Sequence, residues 1–126
     1  MSGAPRLCTV VLSYRGEGNV LEALGSLLGQ DEPVEIVVSH SGGGPTPGLL
    51  AERGIACVCA EERRLPGAAR NAGVAATSAP VVSFLAADCL ATPGWAAQRL
   101  WRHDAGALAV ASSLAPHDPG VTARAA

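Results

Sequence analysis

Short, nearly solid apolar runs alternate along this chain with longer stretches whose apolar residues recur at helical spacing. Leu7-Cys-Thr-Val-Val-Leu12 is a strand-length run rich in β-branched residues. Val20, Leu21, Leu24, Leu27 and Leu28 then fall on one helix face, with Asn19 placed to cap it. Val34–Val38 predicts a second strand, and Ser41–Gly48, dense in glycine and proline, reads as a loop. A short helix is expected over Leu49–Arg53 and a third strand over Ile55–Ala60. Pro66 and Gly67 open a small-residue helix through Thr77, followed by a fourth strand, Pro80–Leu85. Pro93 sits near the start of a helix carrying Trp95, Leu100 and Trp101. Ala107–Ser112 is the candidate for a fifth strand, and residues 116–126 read as a loose tail.

Strands alternating with helices predict an α/β fold of three layers, a mainly parallel sheet with helices on both faces. Solid apolar strands suit a sheet covered twice. Crossovers are expected to be right-handed. Ligands of such sheets bind at the carboxyl ends of the strands. That selects Ser13–Gly18, Ser39–Gly44, Ala60–Leu65 and Ala86–Leu90 as the windows for chemistry. Residues 1–126 read as one domain, without an internal repeat.

Composition narrows the chemistry. A formal charge of −2 gives no electrostatic case for nucleic acid or an anionic membrane. All 9 basic residues are arginine. Without lysine there is no Walker phosphate loop and no Schiff base. No run approaches the length of a membrane span, and the N-terminus lacks a signal pattern. Cys8, Cys57, Cys59 and Cys89 are spaced neither as a disulfide scaffold nor as a zinc site, so a cytoplasmic, reduced location is expected. Gly16-Glu-Gly-Asn-Val-Leu21 follows the first strand but has Leu21 where a dinucleotide fingerprint needs its third glycine. The second strand also ends in Ser39-His40 rather than an acid, so a turn capped by Asn19 is the better reading.

Arg70-Asn71-Ala72-Gly73-Val74, then Pro80-Val-Val-Ser-Phe-Leu-Ala-Ala-Asp88-Cys-Leu-Ala-Thr-Pro-Gly94-Trp95, resembles the family 2 glycosyltransferases. Their usual run is Arg-Asn-x-Gly, a strand ending Phe-Leu-Asp-Ala-Asp, then Pro-Gly-Trp. Val10-Val-Leu-Ser13-Tyr14, the helix Leu21–Leu28 and Gln30 are similar to that family's start, and the matches keep their order over residues 7–100. The resemblance implies a GT-A fold, Rossmann-like in its nucleotide-binding half, with strand order 3-2-1-4. It implies transfer of a hexose from a UDP- or GDP-sugar to an acceptor hydroxyl, with Mn²⁺ or Mg²⁺ assistance and inversion. Ser13, Tyr14, Ser39, His40, Arg70 and Asn71 then belong to the nucleotide-sugar site, Tyr14 against the base and Arg70 on the nucleotide or its phosphates. Asp88 matches the second carboxylate of the family's Asp-x-Asp and is the expected metal ligand.

This chain departs from that pattern in three places. Ala86 replaces the first Asp-x-Asp carboxylate, and Ser39-His40 replaces the acid ending the second strand. The family's domain is also longer, its remainder normally supplying the acceptor site and general base, so no base is assigned. The chain therefore reads as the N-terminal, nucleotide-sugar half, with a homodimer or a complementing chain as expected partner. A degenerate nucleotide-binding or protein-interaction domain stays open as the alternative. Plainer roles stand beside the functional ones: Asp88 as a cap for the next helix, Arg70 as a solvated helix residue, and Gly42–Gly44 as a plain turn. Arg63-Arg64, beside Glu61-Glu62, reads as an ordinary surface cluster. The cysteines, with Trp95 and Trp101, read as packing residues. His103 sits late in its helix and His117 in the tail, neither with a catalytic partner in sequence.

Overall fold

The computed structural model describes residues 4–16 and 19–115. Four strands, β1 (Leu7–Tyr14), β2 (Val34–Ser41), β3 (Ala56–Ala60) and β4 (Val81–Ala86), form one parallel sheet of order β3-β2-β1-β4. Between and after them run α1 (Val20–Leu28), α2 (Thr46–Glu52), α3 (Pro66–Ala75) and α4 (Trp95–Asp104). The expected three-layer α/β architecture and its strand order are what the chain adopts.

Strand pairing assigns the faces. Leu7, Thr9 and Val11 of β1 lie beside Val34, Ile36 and Val38 of β2 and beside Val81, Ser83 and Leu85 of β4. This face packs against Val20, Ala23, Leu24 and Leu27 of α1, Leu50 of α2, and Ala96 and Leu100 of α4. The opposite face carries Cys8, Val10 and Val37, with Leu12, Val58 and Val82 around them, and receives α3. Gly73 makes that approach possible, since a Cβ there would overlap the Val10 side chain. Thr77 ties the end of this crossover down, donating to Glu35 Oε1 and accepting from Ala79 N at 3.1 Å.

From β1 to β3 the chain steps to one side, so right-handed crossovers put α1 and α2 on one face. It then returns past β1 to form β4, which puts α3 on the other. The direction reverses between β1 and β4, the topological switch point where such sheets open a crevice for ligands.

Several boundaries differ from expectation. β1 and β2 run on to Tyr14 and Ser41, each past the residue where its apolar run ends, because pairing with neighbours continues there. α2 begins at Thr46, inside the stretch read as loop, since proline is tolerated in a first helical turn. Asn19 caps α1 as expected, accepting from Glu22 N at 3.3 Å. Ala107–Ser112 is not a strand. Ala107 N bonds Arg102 O, and Ala107 O accepts from His103 Nδ1 at 2.8 Å, so the segment is tied to the end of α4. Trp101 is exposed rather than packed, Cys57 is half-buried and Cys59 is exposed. The tail at 116–126, His117 and Gly18 of the glycine-rich turn lie outside the described residues.

Candidate functional site

The carboxyl ends of β1, β2 and β3 are laced together by backbone bonds and one side-chain bond. Arg15 N donates to Ser41 O at 2.9 Å, Gly42 N to Ala60 O at 3.0 Å, and Thr46 Oγ1 to Arg15 O at 3.0 Å. The loop leaving β2 needs glycine at its first position. Gly42 has φ +90°, and a Cβ on it would sit 2.6 Å from Tyr14 Cε1. The Tyr14 ring therefore lies directly against this loop.

Ser39 and His40 part company because strand side chains alternate. His40 shares a face with Ser13, its register partner, and is 1% exposed. Its Nε2 lies 2.6 Å from the Gly43 carbonyl, which can only accept, so Nε2 carries the proton. Its Nδ1 then accepts from the Ser13 hydroxyl at 2.9 Å. Both ring nitrogens are spent inside the protein. The Ser13–His40 pair is a clamp that fixes the glycine loop to β1.

Ser39, on the other face with Tyr14 and Ser41, is 2% exposed, and its hydroxyl has no hydrogen-bond partner among the described residues. Arg64 enters the same corner. Its backbone N donates to Ser41 Oγ at 3.1 Å, and its Nη1 is buried without a partner. The Tyr14 ring has Arg63 Cζ 5.0 Å and Arg15 Cζ 5.6 Å from its centroid. Arg70, exposed on α3, sits 5.7 Å from the Phe84 ring of β4, with exposed Asn71 next to it. Among the described residues the single ion pair is Arg6–Asp104, at 2.5 Å and remote in sequence from these windows. Among the described residues the arginines around Tyr14 thus have no carboxylate at ion-pair distance, although Glu61 and Glu62 stand beside Arg63 in sequence. The pair Arg63-Arg64 shows the cations, but only the fold shows that Arg63 lies over a tyrosine from another strand.

Asp88 lies in the turn after β4 and is exposed. It does not cap the next helix, whose N-cap is Gly94 at φ +83°. Its one hydrogen bond among the described residues is weak, from Cys89 Sγ to Oδ1 at 3.7 Å. Residues that sequence reading leaves without a role hold its loop. Ser26 Oγ accepts from Ala91 N at 2.9 Å. Gln30 donates to Thr92 O at 2.9 Å and accepts from Ala96 N at 3.0 Å, supplying the cap that α4 lacks locally. Burial, with the Asp88 charge adding to it, pushes the Cys89 thiol up.

A divalent ion fits this donor set poorly. Hard cations want several oxygen ligands, and where a ligand's phosphates supply part of the shell the protein gives one or two carboxylates, of which the Asp-x-Asp position of this chain offers Asp88 alone. Ala86 supplies none, His40 has no free nitrogen, and the described residues hold no cluster of three or more metal-ligating side chains. Cys89 is protonated and soft. Two further features are polar but separate. Cys57 Sγ and Cys59 Sγ lie 2.8 Å apart on one face of β3, where burial pushes the Cys57 thiol up to about 12. Arg99 lies 4.0 Å from the Trp95 ring and donates to Ser112 Oγ at 2.7 Å, strapping the segment after α4 to the helix.

A parallel sheet of order β3-β2-β1-β4, with polar groups gathered at its carboxyl ends, is an α/β architecture consistent with the GT-A fold. The family model described as glycosyl transferase family 2 matches residues 8–124, and the chain belongs to that family. Domains of this family commonly use divalent metals. No curated protein and no solved structure matches the chain. No helix among the described residues is long and apolar enough to cross a membrane.

Proposed function

We propose that this chain binds the donor of a glycosyl transfer, a UDP- or GDP-linked sugar whose glycosyl group passes to an acceptor hydroxyl. The observation that carries this reading is the buried Ser39 hydroxyl, without a hydrogen-bond partner among the described residues and on the same sheet face as Tyr14, at the strand ends where a parallel sheet takes its ligands. A buried polar atom without a partner costs about 1–3 kcal/mol, and a ligand that bonds it recovers that cost.

The roles follow from the placements. Tyr14 lies against the nucleoside and Ser39 bonds its polar edge. Ser13 and His40 act behind them, holding the glycine loop at one distance from the tyrosine. Arg70 and Asn71, on α3, reach the phosphates together with the arginines around Tyr14, and a guanidinium matches a phosphate with paired, charge-assisted hydrogen bonds. Asp88 accepts hydrogen bonds from the sugar hydroxyls. The bond broken is that between the anomeric carbon and the β-phosphate oxygen. The nucleoside diphosphate leaves with the electron pair, and its charge is met by arginine.

Isothermal titration of the chain with UDP and GDP tests this. One nucleotide is expected to bind, and Arg70→Ala or Ser39→Val to weaken it by about tenfold or more. No binding of either nucleotide by the folded chain at millimolar concentration overturns it. Ala86 favours a second reading, in which nucleotide binds but no sugar is transferred. Donor bound without turnover in the presence of acceptor mixtures separates the two.

A further inference from the structure

We propose that this domain holds the donor's diphosphate without a divalent ion, and that Arg15, Arg63 and Arg64 supply the positive charge. The inference rests on the nucleotide-sugar reading above and concerns how the same site neutralises its ligand. The family's motif for a divalent ion has a pair of carboxylates, and here Ala86 stands in place of the first. A single exposed Asp88 has the opposite effect. Without an ion it repels a diphosphate, so the compensating charge has to come from elsewhere.

The corner around Tyr14 has that charge in place. Arg15 follows β1, and Arg63 and Arg64 follow β3. The lacing of Arg15 N to Ser41 O and of Arg64 N to Ser41 Oγ brings both loops onto the end of β2. Like charges gathered at Tyr14, with no carboxylate at ion-pair distance among the described residues, disfavour the folded state, and a bound anion relieves the repulsion. One of them is more than a surface charge. Arg64 Nη1 is withdrawn from water and bonds nothing among the described residues, and Ser39 Oγ in the same corner is equally unpartnered. Two orphaned donors, one on β2 and one on the loop after β3, need acceptor atoms, and a nucleoside diphosphate is rich in them. The Arg63 and Arg15 guanidinium groups already lie over Tyr14, so a nucleoside seated there brings its phosphates within their reach. Guanidinium groups are permanently charged and fork-shaped, so they can neutralise a phosphate oxygen pair without a metal's fixed geometry.

The test is titration of the whole chain with UDP and GDP, once in excess EDTA and once in Mn²⁺. The dissociation constants are expected to agree within about threefold. Arg63→Ala with Arg64→Ala is expected to weaken binding by about tenfold or more, Arg64→Lys to recover only part of that, and Glu61→Ala to leave it unchanged. Thermal melts of each variant confirm that it is folded. Binding made about tenfold tighter by Mn²⁺ and lost in Asp88→Ala overturns the inference and leaves the nucleotide reading standing. Binding indifferent to the arginine changes overturns it as well. No nucleotide binding in either buffer overturns both.

Discussion

Ser39 and His40 are neighbours in sequence and face opposite layers, and much of the site's logic follows from that single alternation. His40 is consumed by structure. In His40→Ala the Ser13 hydroxyl and the Gly43 carbonyl lose their partner in a buried place. The variant is expected to lose about 1–3 kcal/mol of stability, measured by urea denaturation. Cys8 makes a second residue-scale prediction. Burial, then its neighbours Thr77 and Glu35, set its thiol, which is pushed up to about 11 from an ordinary 9.0. Below pH 9 the thiol is protonated in both states and costs nothing. Between pH 9 and about 11 the unfolded chain gives up its proton first, so stability falls as pH rises. The loss from this group is bounded at about 3 kcal/mol. Comparing urea midpoints at about pH 8 and pH 10.5 checks it, with a smaller fall expected in Cys8→Ala. Equal falls in both proteins would assign the effect elsewhere, Cys57 being the other raised thiol in the sheet.

At the scale of elements, α3 is held close to β1 by an absence of side chain. Gly73→Ala improves intrinsic helix propensity by up to about 1 kcal/mol. Its methyl would nonetheless overlap Val10, so a net destabilisation of about 1–3 kcal/mol is expected in thermal melts. The other telling element is the loop that carries Asp88. Its position depends on Ser26 and Gln30 of the α1 region, far away in sequence. Gln30→Ala frees Thr92 O and Ala96 N together, costing about 1–2 kcal/mol and loosening Asp88. A fall in nucleotide affinity in this variant, with Tyr14 and the arginines untouched, would show that the loop works as one piece with α4.

At the scale of the whole molecule, β4 is an edge strand with no pairing beyond it among the described residues. The run read as a candidate fifth strand, Ala107–Ser112, hangs from the end of α4 instead, with Leu108 98% exposed. Phe84, Leu90, Trp101 and Leu114 are exposed on elements that border the same cleft. An unpaired edge beside apolar side chains is a pairing surface. The chain is expected to self-associate with rising concentration, as read by light scattering coupled to gel filtration. A clean monomer at high concentration would count against it.

Hydropathy along the chain was sufficient for the β-α order, the helix capped by Asn19 and the windows at the strand ends, because period and caps are local properties. The motifs around Arg70-Asn71 and Asp88 carried the family by resemblance. Other features depend on partners far apart in sequence, and only the tertiary structure decided them. Among these are the helical start of α2 in a stretch read as loop, the unpaired fate of Ala107–Ser112, and the split between buried His40 and orphaned Ser39. The most consequential is the arginine corner. Arg63 and Arg64 beside Glu61 and Glu62 look like a neutral surface cluster on the page. Arg63 instead lies over Tyr14, brought there from β1, because a parallel sheet collects strand ends that the chain keeps nearly fifty residues apart.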